Sequence, residues 1–382
     1  MQLRYDDVLK AEKVLDGNVK KTPMIRADKL GIKLGCELFL KLECLQLTSS
    51  FKARGAHLAI TNATSENPGK GLIAMSAGNH AQAVAYNAKQ IKIPATIVMP
   101  EQAPFSKVAR TRDYGAAVIL KGRTLNETAS FVKKLARDQD LLLIHPYDNL
   151  DVIAGQGTVG LEIFALIRDL DFLLVPIGGG GLISGISLVA KQISPKTKII
   201  GVETRLFPSM FNIRNGLTMP CVGDTLADGI AVKKPGKHNI PIIEEYVDDI
   251  ILVDELSIEK SISDLFEDER IISEGAGAAG VAAIKENKSL FYNKKVGTII
   301  CGGNIDSRIF AGILNRQLSR DGKIARVRVD ITDEPGMLAR IASSISESGG
   351  NIIEVFHQRM FHDVPVKKAK IDAVIEAQNA ET

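Results

Sequence analysis

The sequence predicts an α/β protein: two open, mostly parallel-sheet lobes with a cleft between them, followed by a small α+β unit at the C-terminus. Three observations carry this reading. Short apolar runs bounded by turn residues alternate with helix-length stretches through two successive series. Loops rich in Gly, Ser or Asn follow several of these runs, where the ends of parallel strands line a cleft. Near residue 321 the rhythm gives way to half-polar strands.

In chain order, Asp6 to Leu15 is an amphipathic helix stopped by Gly17 and Asn18. Lys21-Thr22-Pro23 leads into an extended segment, because the residue before a proline avoids the helical region. Leu38 to Leu42 is strand-like, and a helical segment runs from Ser49-Ser50-Phe51-Lys52-Ala53-Arg54-Gly55-Ala56 through Ile60. The first series has strands Leu72–Met75, Ala95–Met99, Ala117–Leu120 and Leu141–Ile144, with helical patterns near 79–90, 105–112 and 124–137. The second begins with a helix from Val152 to Leu170. Strands Phe172–Val175, Lys198–Val202, Ile250–Val253 and Val296–Ile300 follow, separated by helices near 182–191, 257–268, 276–286 and 307–318. Strands alternating with helices in this way build a parallel sheet with crossover helices.

Beyond Ser319-Arg320-Asp321-Gly322, Ala325 to Ile331 alternates as a half-exposed strand does. Asp333-Glu334-Pro335-Gly336 is a turn, Met337 to Ser348 an amphipathic helix, and Asn351–His357 and Lys368–Glu376 two further strands. This βαββ pattern places a domain boundary near 321, dividing 1–320 from 321–382.

Composition narrows the class. With 45% hydrophobic and 24% charged residues and a net charge of +3 of interspersed sign, nothing points to nucleic acid or an anionic membrane. The four cysteines, Cys36, Cys44, Cys221 and Cys301, show no paired metal-ligand spacing and no disulfide framework. The N-terminus lacks the apolar core of a leader and no window reaches membrane-spanning length. A cytoplasmic location is expected.

Lys52 is the first candidate. Alone it reads as well as a surface lysine whose stem lies along the protein. Buried against Phe51, its ammonium would lose solvation and become the neutral amine that attacks an aldehyde. Gly178-Gly179-Gly180-Gly181 follows a strand and opens a helix at Leu182. Such a loop lets backbone N–H groups converge on an anion, a phosphate above all, although tight strand–helix packing also asks for glycine. No Gly-Lys-Ser/Thr follows, and the third dinucleotide glycine is replaced by Ile183 or Ser184, so a smaller phosphorylated cofactor is the natural guest. Ser76-Ala77-Gly78-Asn79-His80 sits at another strand–helix junction and offers N–H groups for a carboxylate; Asn79 and Ser76 also suit a helix cap, and His80 a packed core histidine. Cys301 precedes Gly302-Gly303-Asn304 at the end of the last body strand, with no neighbouring cation to activate it. Glu274 either caps a helix or lines the site.

Together these loops resemble the fold-type II pyridoxal-phosphate enzymes, the tryptophan-synthase-β-like fold, and specifically their threonine/serine dehydratase branch. The resemblance runs from about residue 5 to 318 and implies a smaller lobe at about 51–148 inserted in the larger. It implies that Lys52 is the covalent anchor of pyridoxal 5′-phosphate and the base at the substrate Cα, and that Phe51 packs near the ring. Asn79 would bond the ring 3′-oxygen. Gly178, Gly179, Gly180, Gly181 and Leu182 would cradle the phosphate, Cys301 would face the pyridine nitrogen, and Ser76, Ala77, Gly78, Asn79 and His80 would take the amino-acid carboxylate. A neutral thiol at the pyridine nitrogen favours expulsion of the β-group over transamination.

Neighbouring activities depart from this pattern. Threonine and cysteine synthases resemble it but carry Asp after the lysine, where this chain has Ala53. Serine racemases place a serine where this chain has Ala77, and their metal site pairs a Glu with an Asp six residues on, where this chain has Glu203 and Ser209. The resemblance therefore implies no metal and an ammonia-lyase that converts L-threonine to 2-oxobutanoate, acting on serine also and serving amino-acid metabolism such as isoleucine biosynthesis. Serine or 3-hydroxyaspartate as the main substrate stays open, as does a non-catalytic amino-acid sensor. The C-terminal unit resembles a truncated ACT domain, through Asp333-Glu334-Pro335-Gly336-Met337-Leu338 and Gly349-Gly350-Asn351-Ile352. That implies an amino-acid or nucleotide effector and a homo-oligomer, dimer or tetramer.

Overall fold

The computed structural model describes residues 3–358, 365 and 367–381. It divides into two compact units, Met1–Ile305 and Asp306–Thr382. The first contains both lobes. Strands β1 (Met24–Arg26) and β2 (Glu37–Lys41) open the large lobe. Strands β3 (Leu72–Met75), β4 (Ala95–Met99), β5 (Ala117–Leu120) and β6 (Leu142–Leu143) form the small one, and β7 (Phe172–Pro176), β8 (Lys198–Thr204), β9 (Asp249–Val253) and β10 (Lys295–Ile299) return to the large one. The small sheet is ordered β5-β4-β3-β6 and is parallel throughout. The large sheet is ordered β1-β2-β10-β7-β8-β9, parallel except for the antiparallel edge strand β1.

Burial explains these patterns. Every residue of β7 is buried, as a central parallel strand covered on both faces requires. The helix Leu150–Leu166 starts at Asn149, whose side chain accepts the Val152 N–H at 2.9 Å. Its unbroken buried run, Val152 through Leu161, reflects packing against the helices Lys52–Glu66 and Gly181–Ile193. Close approach there depends on glycine: a Cβ on Gly155 would lie 2.7 Å from the Gly55 Cα, and one on Gly185 would lie 2.4 Å from the Ile153 carbonyl.

One buried charge network ties these layers together. Arg54, 1% exposed, donates to Glu43 Oε1 at 2.8 Å and Oε2 at 2.9 Å, and to Glu162 Oε1 at 2.6 Å. Lys41, fully buried, donates to Glu162 Oε2 at 2.5 Å and to the Thr22 carbonyl at 2.6 Å. Burial opposes ionisation of Glu43, but Arg54 and the Thr22 hydroxyl hold its carboxyl below the ordinary range. Two cations and two anions thus join the N-terminal segment, β2, the start of the Lys52 helix and the helix Leu150–Leu166.

The second unit holds the helix Ser307–Arg320 and strands β11 (Ile324–Thr332), β12 (Asn351–Gln358) and β13 (Lys368–Glu376), with the helix Met337–Glu347 between β11 and β12. The strand order is β11-β13-β12, all antiparallel, so the last strand is the central one. Met337 and Ile341 pack on Val329, Ile331, Ala369 and Ile371. On the sheet, Asp372 accepts from both Arg326 and Arg328.

The sequence reading differs at several edges. The helix Ser307–Arg320, which packs with β11, groups with the second unit, so the two compact units meet at Ile305/Asp306. The helix expected to reach Leu170 ends at Leu166, and the strand expected at Leu141–Ile144 shortens to two residues. The extended segment after Pro23 is strand β1, while the helices Asp28–Leu34, Ser209–Asn215 and Asn239–Tyr246 were not expected, since none is long enough to show a clear period. Removing Arg54 leaves Glu43 buried and half-paired, so Arg54→Ala lowers unfolding free energy by about 3–5 kcal/mol in denaturant titration. Arg26→Ala, which removes a pair between exposed side chains, costs under about 1 kcal/mol in the same assay.

Candidate active site

A cavity of about 450 Å³ opens between the two sheets of the first unit, and every sequence-selected site residue lines it. The loops after β3, β6, β7 and β10 converge there from the carboxyl ends of their strands, as an open parallel sheet arranges them.

Lys52 begins the helix Lys52–Glu66. Just before it, Thr48 and Ser49 both hold left-handed backbone at φ 58° and φ 54°, a conformation that disfavours residues with a Cβ and recurs at functional sites. The segment is pinned to the loop after β10: the Phe51 N–H donates to the Cys301 carbonyl at 3.1 Å and the Gly303 N–H to the Ser49 carbonyl at 2.9 Å. Lys52 Nζ donates to the Pro146 carbonyl at 2.7 Å and stands 5.1 Å from the Phe51 ring centroid. Burial lowers its pKa to about 8, against weaker opposing effects of Cys301 and Glu274.

The glycine loop faces Lys52 across the cavity. Among the described residues, no hydrogen bond engages the backbone N–H groups of Gly178, Gly179, Gly180, Gly181 or Leu182. The Gly179 carbonyl is held from behind by the Gly236 N–H and by Asn239 Nδ2, both at 2.9 Å, which leaves the N–H side for the cavity. A Cβ on Gly179 would lie 2.1 Å from the Tyr147 ring, and Gly180 has φ 97°. These positions need glycine, and with the start of the helix Gly181–Ile193 they form an anion cradle.

At the Ser76–His80 loop, the Ala77, Asn79 and His80 N–H groups are likewise without an acceptor, while Gly78 N–H donates to Ser76 Oγ at 3.1 Å. His80 is buried, with Nε2 2.9 Å from the Ile144 carbonyl. Burial and the nearby Lys52 charge push its pKa down to about 3, so the ring is neutral and committed to packing. Cys301 is buried too, and burial with the neighbouring Glu274 raises its pKa well above the ordinary thiol value. It is a neutral thiol and not a nucleophile.

Glu274 lines the cavity and does not cap its helix by side chain. Its Oε1 accepts from Asn79 Nδ2 at 2.7 Å and its Oε2 from the Asn304 N–H at 3.2 Å. Asn304 Nδ2 donates to Asn79 Oδ1 at 2.8 Å, so the Asn79 amide is oriented from both ends. Burial and the Asp228 charge raise the Glu274 pKa to about 7. Sequence reading did not single out Asn304, Tyr147, Lys107, Asp228 or Gln82, all of which line the cavity. Only Asn304, three residues past Cys301 in the same loop, carried a usable signal.

Glu203 is held by the residues that follow it in the chain. Its Oε1 accepts from the Met210 N–H at 2.9 Å and Ser209 Oγ at 3.2 Å, and its Oε2 from the Phe211 N–H at 2.8 Å.

A buried amine of lowered basicity, an anion cradle with free N–H groups and a neutral thiol fit a phosphorylated aldehyde cofactor. Gln82 Oε1, buried and unpartnered, adds an acceptor at the cavity wall. The model of the family described as pyridoxal-phosphate dependent enzyme matches residues 15–302. An L-threonine ammonia-lyase of Thermotoga maritima is 42% identical over 376 residues, covering 98% of this chain and 94% of its own. A catabolic L-threonine dehydratase of Staphylococcus aureus is 43% identical over 320 residues, or 82% of this chain and 92% of its own. Among solved structures, maize serine racemase superposes with a TM-score of 0.78 at 32% identity, covering 84% of this chain and 99% of that one.

The amine must be neutral to attack an aldehyde. Capture of pyridoxal phosphate by the cofactor-free protein is therefore expected to speed up as pH rises and to level off above about 8, in rapid-mixing absorbance traces from pH 6 to 10.

Proposed function

The chain belongs to the pyridoxal-phosphate-dependent enzymes, and from that premise we propose that it is a threonine ammonia-lyase, converting L-threonine to 2-oxobutanoate and ammonia. The observation that carries this is the Lys52 amine, buried and of lowered basicity, opposite the free N–H groups of Gly178–Leu182. Lys52 would hold the cofactor covalently, Phe51 would pack beside its ring, the glycine loop would take its phosphate, Asn79 its ring oxygen, and Cys301 would face its pyridine nitrogen. When bound, pyridoxal phosphate supplies the electron sink that makes the substrate Cα acidic.

The chain's own residues do the rest. The Ser76–His80 loop binds the substrate carboxylate through the free N–H groups of Ala77, Asn79 and His80. Lys52 Nζ, whose lowered basicity makes the free amine accessible, takes the proton from Cα. The β-hydroxyl leaves as water, and hydrolysis of the released enamine gives the 2-oxo acid and ammonia. Cys301, a neutral thiol, would place no carboxylate charge beside the ring nitrogen, which would favour loss of the β-group. Ala77 supplies no acid on the opposite face, so the reading is elimination and not racemisation. L-Serine is a second substrate.

The βαββ unit is read as ACT-like, on its element order and its central third strand. Regulation by an amino-acid or nucleotide effector, or assembly of a homo-oligomer across the open β11 edge, is its assigned role. No helix among the described residues is long and apolar enough to cross a membrane. Four free thiols, two of them buried, suit the reducing cytoplasm.

Lys52→Ala is expected to abolish the substrate-induced change in visible absorbance and to cut 2-oxobutanoate release from L-threonine on the order of 10³-fold. Wild-type-like turnover in that variant would sink the assignment. Deleting residues 321–382 should retain most L-threonine turnover while changing effector response or oligomeric state, measured by steady-state kinetics and light scattering. Complete loss of turnover in a folded deletion variant would reject a purely regulatory role for that unit.

A further inference from the structure

The proposed reaction leaves the substrate's side-chain charge open, and the cavity's ionisable groups address it. His80 and Cys301 are neutral there, for the reasons given above. Tyr147 is neutral as well: burial and the neighbouring Asp148 charge raise its pKa. Lys52 is committed to the cofactor. That leaves Lys107, Asp228 and Glu274 as the charged groups lining the cavity.

Lys107 comes from the small-lobe helix Phe105–Asp113, and Asp228 opens the short large-lobe 3-10 turn Asp228–Ile230. The two form an ion pair at the cavity wall, and both charges act on Glu274. Glu274 uses both oxygens as acceptors, toward Asn79 and Asn304. Free N–H groups exist at the Ser76–His80 loop for one carboxylate and at the glycine loop for a phosphate. The remaining wall includes Pro100, Pro104, Ile230 and Val232, which offer no anion partner. A second substrate carboxylate would therefore meet one cation already neutralised and two acidic side chains.

We propose that the Lys107–Asp228 pair, with Glu274 beside it, restricts this cavity to hydroxy amino acids that carry a single carboxylate, and that Asp228 is the specificity-determining residue. The inference rests on the ammonia-lyase reading. Threonine and serine pass this filter; 3-hydroxyaspartate, with its second carboxylate, is excluded by like charge and by the lack of a free cation.

The test compares kcat/KM for L-threonine and 3-hydroxyaspartate in the wild type, in Asp228→Asn and in the double variant Asp228→Asn/Lys107→Met. The wild type should favour threonine by about 100-fold or more, a margin that unpaired charge readily supplies. Asp228→Asn frees Lys107 and should narrow the ratio by about 10-fold or more, mainly through KM for the dicarboxylate. The double variant should lose that gain. A wild-type ratio within about 3-fold, or a ratio unchanged in Asp228→Asn, overturns the inference while leaving the ammonia-lyase reading intact. If the wild type turns over neither substrate, the ammonia-lyase reading fails, and the inference falls with it. A readout that needs no variant uses the wild-type holoenzyme and two unreactive amino acids. L-2-aminobutanoate should perturb its visible spectrum at concentrations about 10-fold or more below L-aspartate, and equal potency overturns the inference.

Discussion

The guanidinium of Arg54, fully enclosed and shared between Glu43 and Glu162, constrains the rest of the body. Two residues earlier in the same helix sits Lys52, and the position of its amine follows from where this first helical turn is held. A buried charge without its partners is far more costly than a buried apolar contact, so the turn has one low-energy seat. Lys41 completes the set by pairing with Glu162 and with the Thr22 carbonyl, which draws the N-terminal segment and β2 to the same point. From the other side, the Ser50–Gly302 bridge and the Phe51–Cys301 hydrogen bond fasten the segment to the loop after β10. The lysine, the thiol and the large sheet are thereby built as one piece.

Within the cavity a single physical effect tunes several groups at once. Desolvation disfavours charge, so it lowers the basicity of Lys52 and His80 and raises the pKa of Cys301 and Glu274. The outcome is an amine of lowered basicity, a neutral imidazole and a neutral thiol close together. Anions are then left to backbone N–H groups, at the glycine loop and at Ala77–His80, and not to side-chain cations. Backbone donors are fixed in direction and carry no titratable proton, so they hold a phosphate or carboxylate without disturbing the amine.

The orientation of Asn79 illustrates how the two lobes cooperate. Asn79 starts a small-lobe helix, whereas Glu274 and Asn304 belong to the large lobe. Their hydrogen bonds cross the cleft and fix which end of the amide donates. The Arg110–Asn304 contact at 2.9 Å extends the same seam. A side chain read from the sequence as an amide donor at the cleft, or else a helix cap, is a cross-lobe tie.

Much of this protein was legible in its sequence because the relevant signals are local. The alternation of apolar strands with amphipathic helices predicted parallel sheets, since each strand's burial is written in its own run of residues, as in β7. The run Gly178–Gly181 marked an anion cradle, since only glycine allows a chain to turn its N–H groups inward against Tyr147. Lys52, Asn79 and Cys301 stood beside strand ends, where a parallel fold brings loops together. The order of strands in each sheet, the antiparallel edge at β1 and the division at Ile305 were decided by packing between segments far apart in sequence. So were the roles of Glu274, Asn304, Lys107 and Asp228, which share no motif. A residue's partners across a cleft leave no trace in its own neighbours, and charge pairing between lobes exists only once both lobes have folded.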